Sequence, residues 1–255
     1  MFDLHNHTLP GVDDGAKSMQ EALEMAAIAA REGIQGILLT PHHKDVAGLL
    51  QDGSFFTKVE EFRQEVKRSN IPLQIFEATE NAIEPDLPEK LKIGLALPVN
   101  KNRYVLVELP PPLLPPFTDD TLFKLQLGGY TPILVHPERC AEFQRDRTRL
   151  ERLVERGMLV QVTASSLTGE WGSELRSFAG DLLRHNLAHI IASDAHRPTG
   201  HRSPTLSRGV AAAASIVGEE RARAMVTTVP EAILAGKRAE LPEPVQKKRR
   251  LFFWK

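Results

Sequence analysis

The stretch Asp3-Leu4-His5-Asn6-His7 opens the chain, and the loop Thr8-Leu9-Pro10-Gly11-Val12-Asp13-Asp14-Gly15 follows it at once. We predict a short first strand over residues 2–5. Residues i and i+2 of an extended segment point to the same side, so His5 and His7 can bind one divalent ion through their imidazole nitrogens. Asp14 lies within reach on the loop. An H-x-H motif also fits a polar strand end, so the rest of the chain has to decide between the two interpretations.

Length, composition and charge bound the class of protein. With 255 residues and 42% hydrophobic content, the chain can bury one large core, and a single domain is expected. Lys plus Arg number 32 against 33 for Asp plus Glu, which gives no general attraction to nucleic acid. Neither a leader sequence nor an apolar run of about 20 residues is evident, so we expect a cytoplasmic protein without a membrane span.

Short apolar runs alternate with helical patterns along the chain. Ser18 and Glu21 form a capping box before an apolar periodicity, and Gly33 stands where that helix should end. The predicted strands cover residues 2–5, 34–40, 73–78, 104–107, 131–135, 158–162 and 188–192. The predicted helices cover residues 18–33, 55–68, 118–128, 147–156, 173–185, 206–217, 219–226 and 230–234. This alternation predicts a parallel, barrel-like α/β fold whose active site lies at the carboxyl ends of the strands.

Nearly every predicted strand ends in a histidine or a carboxylate. One such residue alone is usually structural, but their shared placement on one rim indicates a site. With Asp14 included, five imidazoles and four carboxylates converge there, enough for two or three first-row or magnesium-like ions. The candidate metal ligands are His5, His7, Asp14, His42, Glu80, Glu108, His136, Asp194 and His196.

The local context of these residues resembles a known family. The motifs are D-L-H-N-H (3–7), V-D-D-G (12–15), T-P-H (40–42), A-T-E (78–80), V-E (107–108), V-H-P-E-R (135–139) and S-D-A-H (193–196). From Met1 to about Leu234 the chain resembles the polymerase and histidinol phosphatase (PHP) superfamily. Within it, the chain is most similar to the manganese-dependent bacterial protein-tyrosine phosphatases of the CpsB/YwqE type.

The resemblance implies a distorted (β/α)7 TIM-like barrel over residues 1–243 with a trinuclear metal cluster. It implies manganese, with iron, zinc, cobalt or magnesium as alternatives. It also implies that the substrate is phosphotyrosine on a membrane-associated tyrosine kinase of capsule or exopolysaccharide biosynthesis. The resemblance assigns the nine residues above as ligands, and Arg139 and Arg202 to phosphate binding.

The chemistry of a phosphate monoester agrees with such a site. Bound metal ions lower the pKa of water from about 15.7 toward roughly 7 and clamp the phosphoryl group. Arg139 and Arg202 would stabilise the equatorial oxygens through forked hydrogen bonds. A tyrosinate leaving group has a pKa of about 10, so a strong general acid is not essential. His43 or a metal-bound water is the candidate for that role.

A cysteine mechanism is not supported by the sequence. Cys140 is the single cysteine. Thiol-based tyrosine phosphatases carry a loop in which an arginine stands six positions after the cysteine. Here that position holds Asp146, so we interpret Cys140 as a packing residue. His185 and His189 have no ligand-like setting, and we interpret them as surface or helix-end residues.

Two other functions remain open on the sequence. A small-molecule phosphoesterase such as histidinol phosphatase would use the same metals, and a non-catalytic regulatory module would use them only for stability. The full ligand set disfavours the non-catalytic module. The Pro-rich run over residues 110–116 cannot be helix or central strand; we interpret it as a loop at the rim of the site rather than a domain linker.

The chain ends in a basic and aromatic tail, residues 244–255, with the sequence K-K-R-R-L-F-F-W-K over 247–255. Cations followed by aromatics are typical of a weak contact with an anionic membrane surface, here the inner face. The alternatives are an apolar segment packed on the barrel and a contact between copies in a homo-oligomer.

Overall fold

The strands of the molecule are short and all pair in parallel. The computed structural model describes residues 1–245. The strands are β1 (Phe2–Asn6), β2 (Gly36–Leu39), β3 (Gln74–Glu77), β4 (Asn81–Ala82), β5 (Tyr104–Glu108), β6 (Thr131–Val135), β7 (Leu159–Thr163) and β8 (Ile190–Ala192). They form a three-stranded sheet in the order β1-β2-β3 and a five-stranded sheet in the order β4-β5-β6-β7-β8. The predicted α/β class with parallel strands is confirmed.

The predicted closed barrel does not appear as one continuous sheet. Isolated bridges join the two sheets at two seams, between Asn6 and Ala195 and between His42 and Glu80. At the second seam the chain changes partner: the N–H of Ala78 still donates to Leu39 of β2, whereas Asn81 and Ala82 pair with β5. The third predicted strand therefore continues into a separate strand, β4, and the seven predicted strands become eight.

Helices fill the intervals between strands. They are α1 (Met19–Arg31), α2 (His43–Gln51), α3 (Ser54–Arg68), α4 (Leu87–Lys92), α5 (Thr118–Leu127), α6 (Ala141–Arg145), α7 (Thr148–Glu155), α8 (Ala164–Thr168), α9 (Ser173–Arg184), α10 (Ser207–Val217), α11 (Glu219–Ala224) and α12 (Thr228–Leu234). Three 3-10 turns cover Val99–Lys101, Pro137–Arg139 and Gly200–Arg202. Among residues 1–245, no helix combines the length and the apolar content needed to span a bilayer.

The predicted helices all form, within a few residues of their predicted ends. Ser18 caps α1 by accepting a hydrogen bond from the N–H of Glu21, whose carboxylate accepts one from the N–H of Lys17. The sequence missed α2, α4, α6 and α8. These helices have five to nine residues, so each offers at most about two and a half turns of periodic pattern.

Alternate residues of the strands pack in two apolar clusters. Val105, Val107 and Leu134 belong to the cluster that packs the strands against the outer helices. Leu106 and Ile133 belong to a second cluster, which joins residues of both sheets to α12. This second cluster fills the space between the sheets, and the carboxyl ends of the strands open above it.

The Pro-rich run at 110–116 is a loop, as predicted. The N–H of Ala141 donates to the carbonyl of Pro111, and the N–H of Leu114 donates to the Glu142 carboxylate. These contacts hold the loop against α6, directly after the Pro137–Arg139 turn. The structure therefore agrees with a rim element rather than a linker. The tail predicted over 244–255 lies outside the described residues from position 246 onward.

His189 is buried, so its interpretation as a surface or helix-end residue was wrong. Its side chain is 4% exposed, and its Nδ1 accepts a hydrogen bond from the N–H of Val160 at 3.0 Å. Burial, with a smaller contribution from the nearby Arg221, lowers the pKa of His189 to about 4. The ring is therefore neutral in the folded protein at neutral pH.

This burial predicts a loss of stability in acid. The unfolded chain protonates His189 near pH 6.5 and the folded one only near pH 4, so the free energy of unfolding should fall by about 3 kcal/mol as pH decreases across that window. His189→Asn keeps an acceptor for Val160 but does not titrate. Urea denaturation between pH 7.5 and pH 4 should show a smaller loss of stability for the variant. Equal losses in the two proteins would contradict the assignment.

Candidate active site

His5 of β1 and His7, which follows the strand directly, face one another, and the Nδ1 atom of each already has a partner. The Nε2 atoms of His5 and His7 are 3.2 Å apart. Nδ1 of His5 lies 2.8 Å from Oε1 of Gln161, and Nδ1 of His7 lies 2.7 Å from Oδ2 of Asp13. Both oxygens are acceptors, so each Nδ1 carries a proton and each Nε2 faces the interior of the cluster. Once these two Nε2 atoms are free of protons, their lone pairs converge, which is a ligand arrangement for a cation.

A bulge in β1 contributes to this arrangement. Asp3 pairs with Ile37 and Asn6 with Leu39, so β1 has one more residue than β2 in this interval. Such bulges bend a strand and re-aim its side chains. Asp3, which is fully buried, fixes the bulge by accepting hydrogen bonds from the side chain of Asn6 and from the backbone and hydroxyl of Ser193.

Glu80 lies at the centre of the imidazoles. Its Oε2 is 3.2 Å from Nε2 of His5, 3.3 Å from Nε2 of His7 and 3.1 Å from Nδ1 of His42. Its Oε1 is 2.9 Å from Nε2 of His136. Burial raises the pKa of a carboxyl group, but His5, His136 and His7 together hold that of Glu80 well below its usual range. The central carboxylate is therefore charged.

Asp14, Asp194 and His196 complete the site on the opposite side. Oδ1 of Asp194 lies 3.5 Å from Nε2 of His5 and 3.6 Å from Nε2 of His7. Oδ1 of Asp14 lies 3.2 Å from Nε2 of His196. The structure thus brings the carboxyl ends of the first and last strands to one place.

The nine predicted ligands meet at this edge. The potential ligand atoms form three overlapping groups, and within each group they all lie within 4.8 Å of one another. They are His7, Asp14, His42 and His196; His5, His7 and Glu80; and His42, Glu80 and Glu108. His136 and Asp194 join these groups through the contacts to Glu80 and His5 described above.

The electrostatics of the cluster suit a divalent cation. Burial alone would lower the pKa of His7, but Asp13 and Glu80 raise it to about 10. Burial and the charge of Glu80 raise the pKa of Glu108, which shows that carboxylates crowd each other here. Mixed nitrogen and oxygen ligands with excess negative charge are typical of manganese, iron or zinc sites.

Two of the predicted ligands adopt left-handed backbone conformations. φ is 36° at His136 and 53° at Asp194. Such conformations are uncommon for residues other than glycine and persist where the surroundings fix them. Here each of them turns the chain directly after a strand.

Arg139 reaches the same cluster from the turn after His136. Its Nη2 is 2.7 Å from Oδ2 of Asp194 and donates to the Thr163 hydroxyl at 3.2 Å. Its Cζ lies 4.8 Å from the centre of the Trp171 ring. Among residues 1–245, its buried Nε has no hydrogen-bond partner. Arg139 thus keeps one donor that no described residue uses.

Arg202 approaches from the other side of Asp194. Its Nη2 lies 3.5 Å from Oδ1 of Asp194 and 2.5 Å from Nε2 of His196. Nδ1 of His196 lies 2.9 Å from the carbonyl of Asp194 and donates to it, so Nε2 accepts from Arg202. An ion bound at His196 would have to displace this hydrogen bond. Within the described residues, the buried Nε of Arg202 also lacks a partner.

The structure does not bring His43 into the cluster. Its Nδ1 accepts from the N–H of Ala82 at 3.3 Å, and its Nε2 lies 3.2 Å from Glu84. Burial lowers its pKa, so the ring is a neutral bridge between α2 and the segment after β4. Its role as a general acid stays a prediction that this geometry does not favour.

Sequence reasoning missed the residues that orient the ligands. Asp13 is adjacent to the predicted ligand Asp14, and Gln161 occupies an inward-facing position in the two-residue period of its strand. The sequence therefore held an indication that each of them lies at the site. Arg197 had none: its guanidinium donates to the carbonyls of Asp14 and Gly15 at 2.7 and 2.6 Å, holding the Asp14 loop to the loop after β8. Cys140 is buried, and burial raises its pKa, so it has no thiolate character.

Comparison with known proteins gives a family and a set of relatives. The family described as "Capsular polysaccharide synthesis, CpsB/CapC" matches residues 1–235. Tyrosine-protein phosphatase YwqE of Bacillus subtilis is 35% identical over 196 residues, 77% of each chain. Tyrosine-protein phosphatase CpsB of Streptococcus agalactiae is 25% identical over 239 residues, 92% of this chain and 98% of the relative.

Two solved structures show the same fold at different distances. A structure reported as YwqE from Bacillus subtilis and CpsB from Streptococcus pneumoniae, "unique metal-dependent tyrosine phosphatases", covers 98% of this chain and 100% of its own, with a TM-score of 0.89 and 31% identity. A TatD family hydrolase from Entamoeba histolytica covers 92% of this chain and 97% of its own, with a TM-score of 0.52 and 10% identity. The second likeness concerns the fold alone.

The Asp13 contact predicts a loss of metal affinity on substitution. Asp13→Asn keeps an oxygen beside Nδ1 of His7 but removes the charge, and partners of this kind typically contribute 10- to 100-fold, as an order of magnitude, to affinity. We expect weaker manganese binding in calorimetry with an unchanged circular dichroism spectrum. Asp45→Asn, at an exposed carboxylate on α2, is the matched control. Equal affinities of both variants would mean that Asp13 does not support the site.

Proposed function

Because this chain belongs to the CpsB/CapC family of capsular polysaccharide synthesis proteins, we propose that it is a metal-dependent tyrosine-protein phosphatase. The observation that carries the proposal is the meeting of nine potential ligands with two arginines that flank one carboxylate, Asp194. Each arginine has a buried Nε without a partner among residues 1–245. Ligands for cations beside free guanidinium donors suit a phosphate dianion.

We propose that all nine residues named above hold two or three divalent ions, with manganese as the first candidate. Nine ligands exceed what one tetrahedral or octahedral centre can use. The oxygens of Glu80 contact imidazoles on two sides, which suits a bridging ligand. When bound, such ions supply a water of lowered pKa and neutralise phosphoryl oxygens.

The remaining chemistry belongs to the arginines and their partners. Arg139 and Arg202 would donate their free N–H groups to the equatorial phosphoryl oxygens, over which charge is spread in the transition state. Asp194 lies between the two guanidinium groups. Arg202 would give up its hydrogen bond to Nε2 of His196 when that imidazole holds an ion, and it would then be available to a phosphoryl oxygen. Cys140 takes no part.

The substrate class follows from the leaving group and the family. A tyrosinate departs with little protonation because its pKa is about 10, which agrees with a site whose nearby His43 is engaged elsewhere. We propose a phosphotyrosine protein as substrate, with a membrane-associated tyrosine kinase of capsule or exopolysaccharide synthesis as the partner. A cytoplasmic location, and a weak contact of tail 244–255 with the inner membrane face or with another copy, belong to the same proposal.

Residues 1–243 are proposed to act as one catalytic domain. The two sheets, joined by bridges at both seams, would be the halves of a distorted (β/α)7 barrel in which β4 is the continuation of the third strand.

A turnover comparison on metal-defined protein tests the function. We expect two to three equivalents of manganese by elemental analysis, and hydrolysis of a phosphotyrosine peptide well above that of histidinol phosphate. Histidinol phosphate as the better substrate would overturn the choice of substrate. If the fully metal-loaded protein hydrolyses neither ester, the chain is a metal-stabilised, non-catalytic module instead.

Two substitutions at neighbouring positions distinguish the mechanisms. Arg139→Ala should keep the metals and lose about 10²-fold in kcat, the scale for one preorganised donor. Cys140→Ser should retain nearly full activity, because the thiol is buried and its pKa is raised. An inactive Cys140→Ser protein with normal metal content would point to a covalent thiol mechanism instead.

A further inference from the structure

Trp171 is the aromatic residue against which Arg139 lies. The Cζ atom of Arg139 is 4.8 Å from the centre of the indole ring, within the range of a cation–π contact. On its other side Arg139 contacts the carboxylate of Asp194 at 2.7 Å. The guanidinium therefore lies between a charge and an aromatic ring.

The ring of Trp171 is itself fixed in place. Its Nε1–H donates to the hydroxyl of Ser165 at 2.8 Å. The loop that carries it is a tight turn between α8 and α9, in which the N–H of Gly172 donates to the carbonyl of Gly169 at 2.9 Å. Both glycines have positive φ, 85° and 100°, which glycine adopts without strain.

Trp171 also contacts the segment of the second arginine. The ring of His201 packs edge-on against it, with centroids 4.5 Å apart and an interplanar angle of 83°. His201 precedes Arg202 in the Gly200–Arg202 turn. One indole ring thus supports Arg139 directly and the backbone before Arg202 indirectly.

We propose that Trp171 is a positioning residue for phosphate binding. It holds Arg139 and the Gly200–Arg202 turn where both arginines can reach a phosphate. The inference rests on the proposed function of this site. The physical reason for such a residue is that Asp194 has two roles. It is a proposed metal ligand, and it is also the anionic partner of Arg139. Asp194 would attract Arg139 less strongly when it also holds a cation, whereas the contact between the indole ring and the guanidinium does not involve that carboxylate.

A double-mutant cycle tests the proposal on the full-length, manganese-loaded protein. Trp171→Leu keeps apolar bulk and removes the aromatic face, and Trp171→Phe restores an aromatic face without the indole N–H. We expect Trp171→Leu to lower kcat/KM for a phosphotyrosine peptide about tenfold, between the scales of an exposed and a desolvated cation–π contact, because both side chains are partly buried. Trp171→Phe should stay within about threefold of wild type. In an Arg139→Ala background, Trp171→Leu should have less than about a twofold effect, because its target is gone.

Inorganic phosphate binding, measured by calorimetry, is the second readout and needs no turnover. Its dissociation constant should rise for Trp171→Leu in parallel with the loss of kcat/KM. Phe123→Ala is the matched control: it removes a cation–π contact with Arg156 of similar length, 5.6 Å, near the amino ends of the strands, and should change neither readout.

The outcomes separate this inference from the proposed function. Equal losses from Trp171→Leu in both backgrounds would show a general structural role, and no loss would show no role; either result overturns the inference while the function stands. An inactive wild type whose phosphate affinity still depends on Trp171 would overturn the function and keep the inference. A wild type that does not bind phosphate would overturn the inference as well.

A spectroscopic measurement covers the case in which Trp171→Leu does not fold. The chain has two tryptophans, so Trp254→Phe leaves Trp171 as the single tryptophan, whose emission can be excited selectively. Inorganic phosphate should shift its emission, because the anion engages the guanidinium that lies on the ring. Unchanged emission at saturating phosphate would count against the proposal.

Discussion

The buried charge of Glu80 is the constraint on which the rest of the molecule depends. A carboxylate that is 1% exposed is strongly destabilising unless positive charge or hydrogen-bond donors surround it. The chain meets this requirement with imidazoles from the ends of three strands, β1, β2 and β6, which all contact the two oxygens of this one group. The imidazoles are in turn oriented by groups such as Asp13 and Gln161 on their far nitrogens. The cluster is therefore a network in which each member is positioned by another.

The seams between the two sheets place this network. At one seam Glu80 bridges to His42 through the backbone, and at the other the N–H of Asp194 donates to the carbonyl of His5. Regular strand pairing ends at both points, so side chains of adjacent strand ends converge on one another rather than standing in parallel rows. A bulge in β1 and left-handed residues after β6 and β8 add to the irregularity. Such departures from regular geometry concentrate at functional sites.

Asp194 connects the cation side of the site to its anion side. It contacts imidazoles through one oxygen and Arg139 through the other, while Arg202 lies near the first. Cations bound to the imidazoles would compete with the arginines for its charge, and the arginines would then turn their free donors toward an incoming phosphate. Trp171 limits how far Arg139 can move in that exchange, which ties an aromatic residue outside the ligand set to the proposed chemistry.

The sequence by itself determined the α/β class, the positions of most helices and strands, and the nine residues that the structure brings to one edge. It could do so because parallel strands place their carboxyl ends together, so a histidine or carboxylate after each strand is informative without any distance. Only the tertiary structure decided what depends on contacts between distant segments. These include the division of the third strand at Asn81, the burial of His189, the engagement of His43 by Glu84, and the support of Arg139 by Trp171, 32 positions along the chain. Local pattern carries no information about such partners, because the energies that select them arise only when the strands and loops have packed.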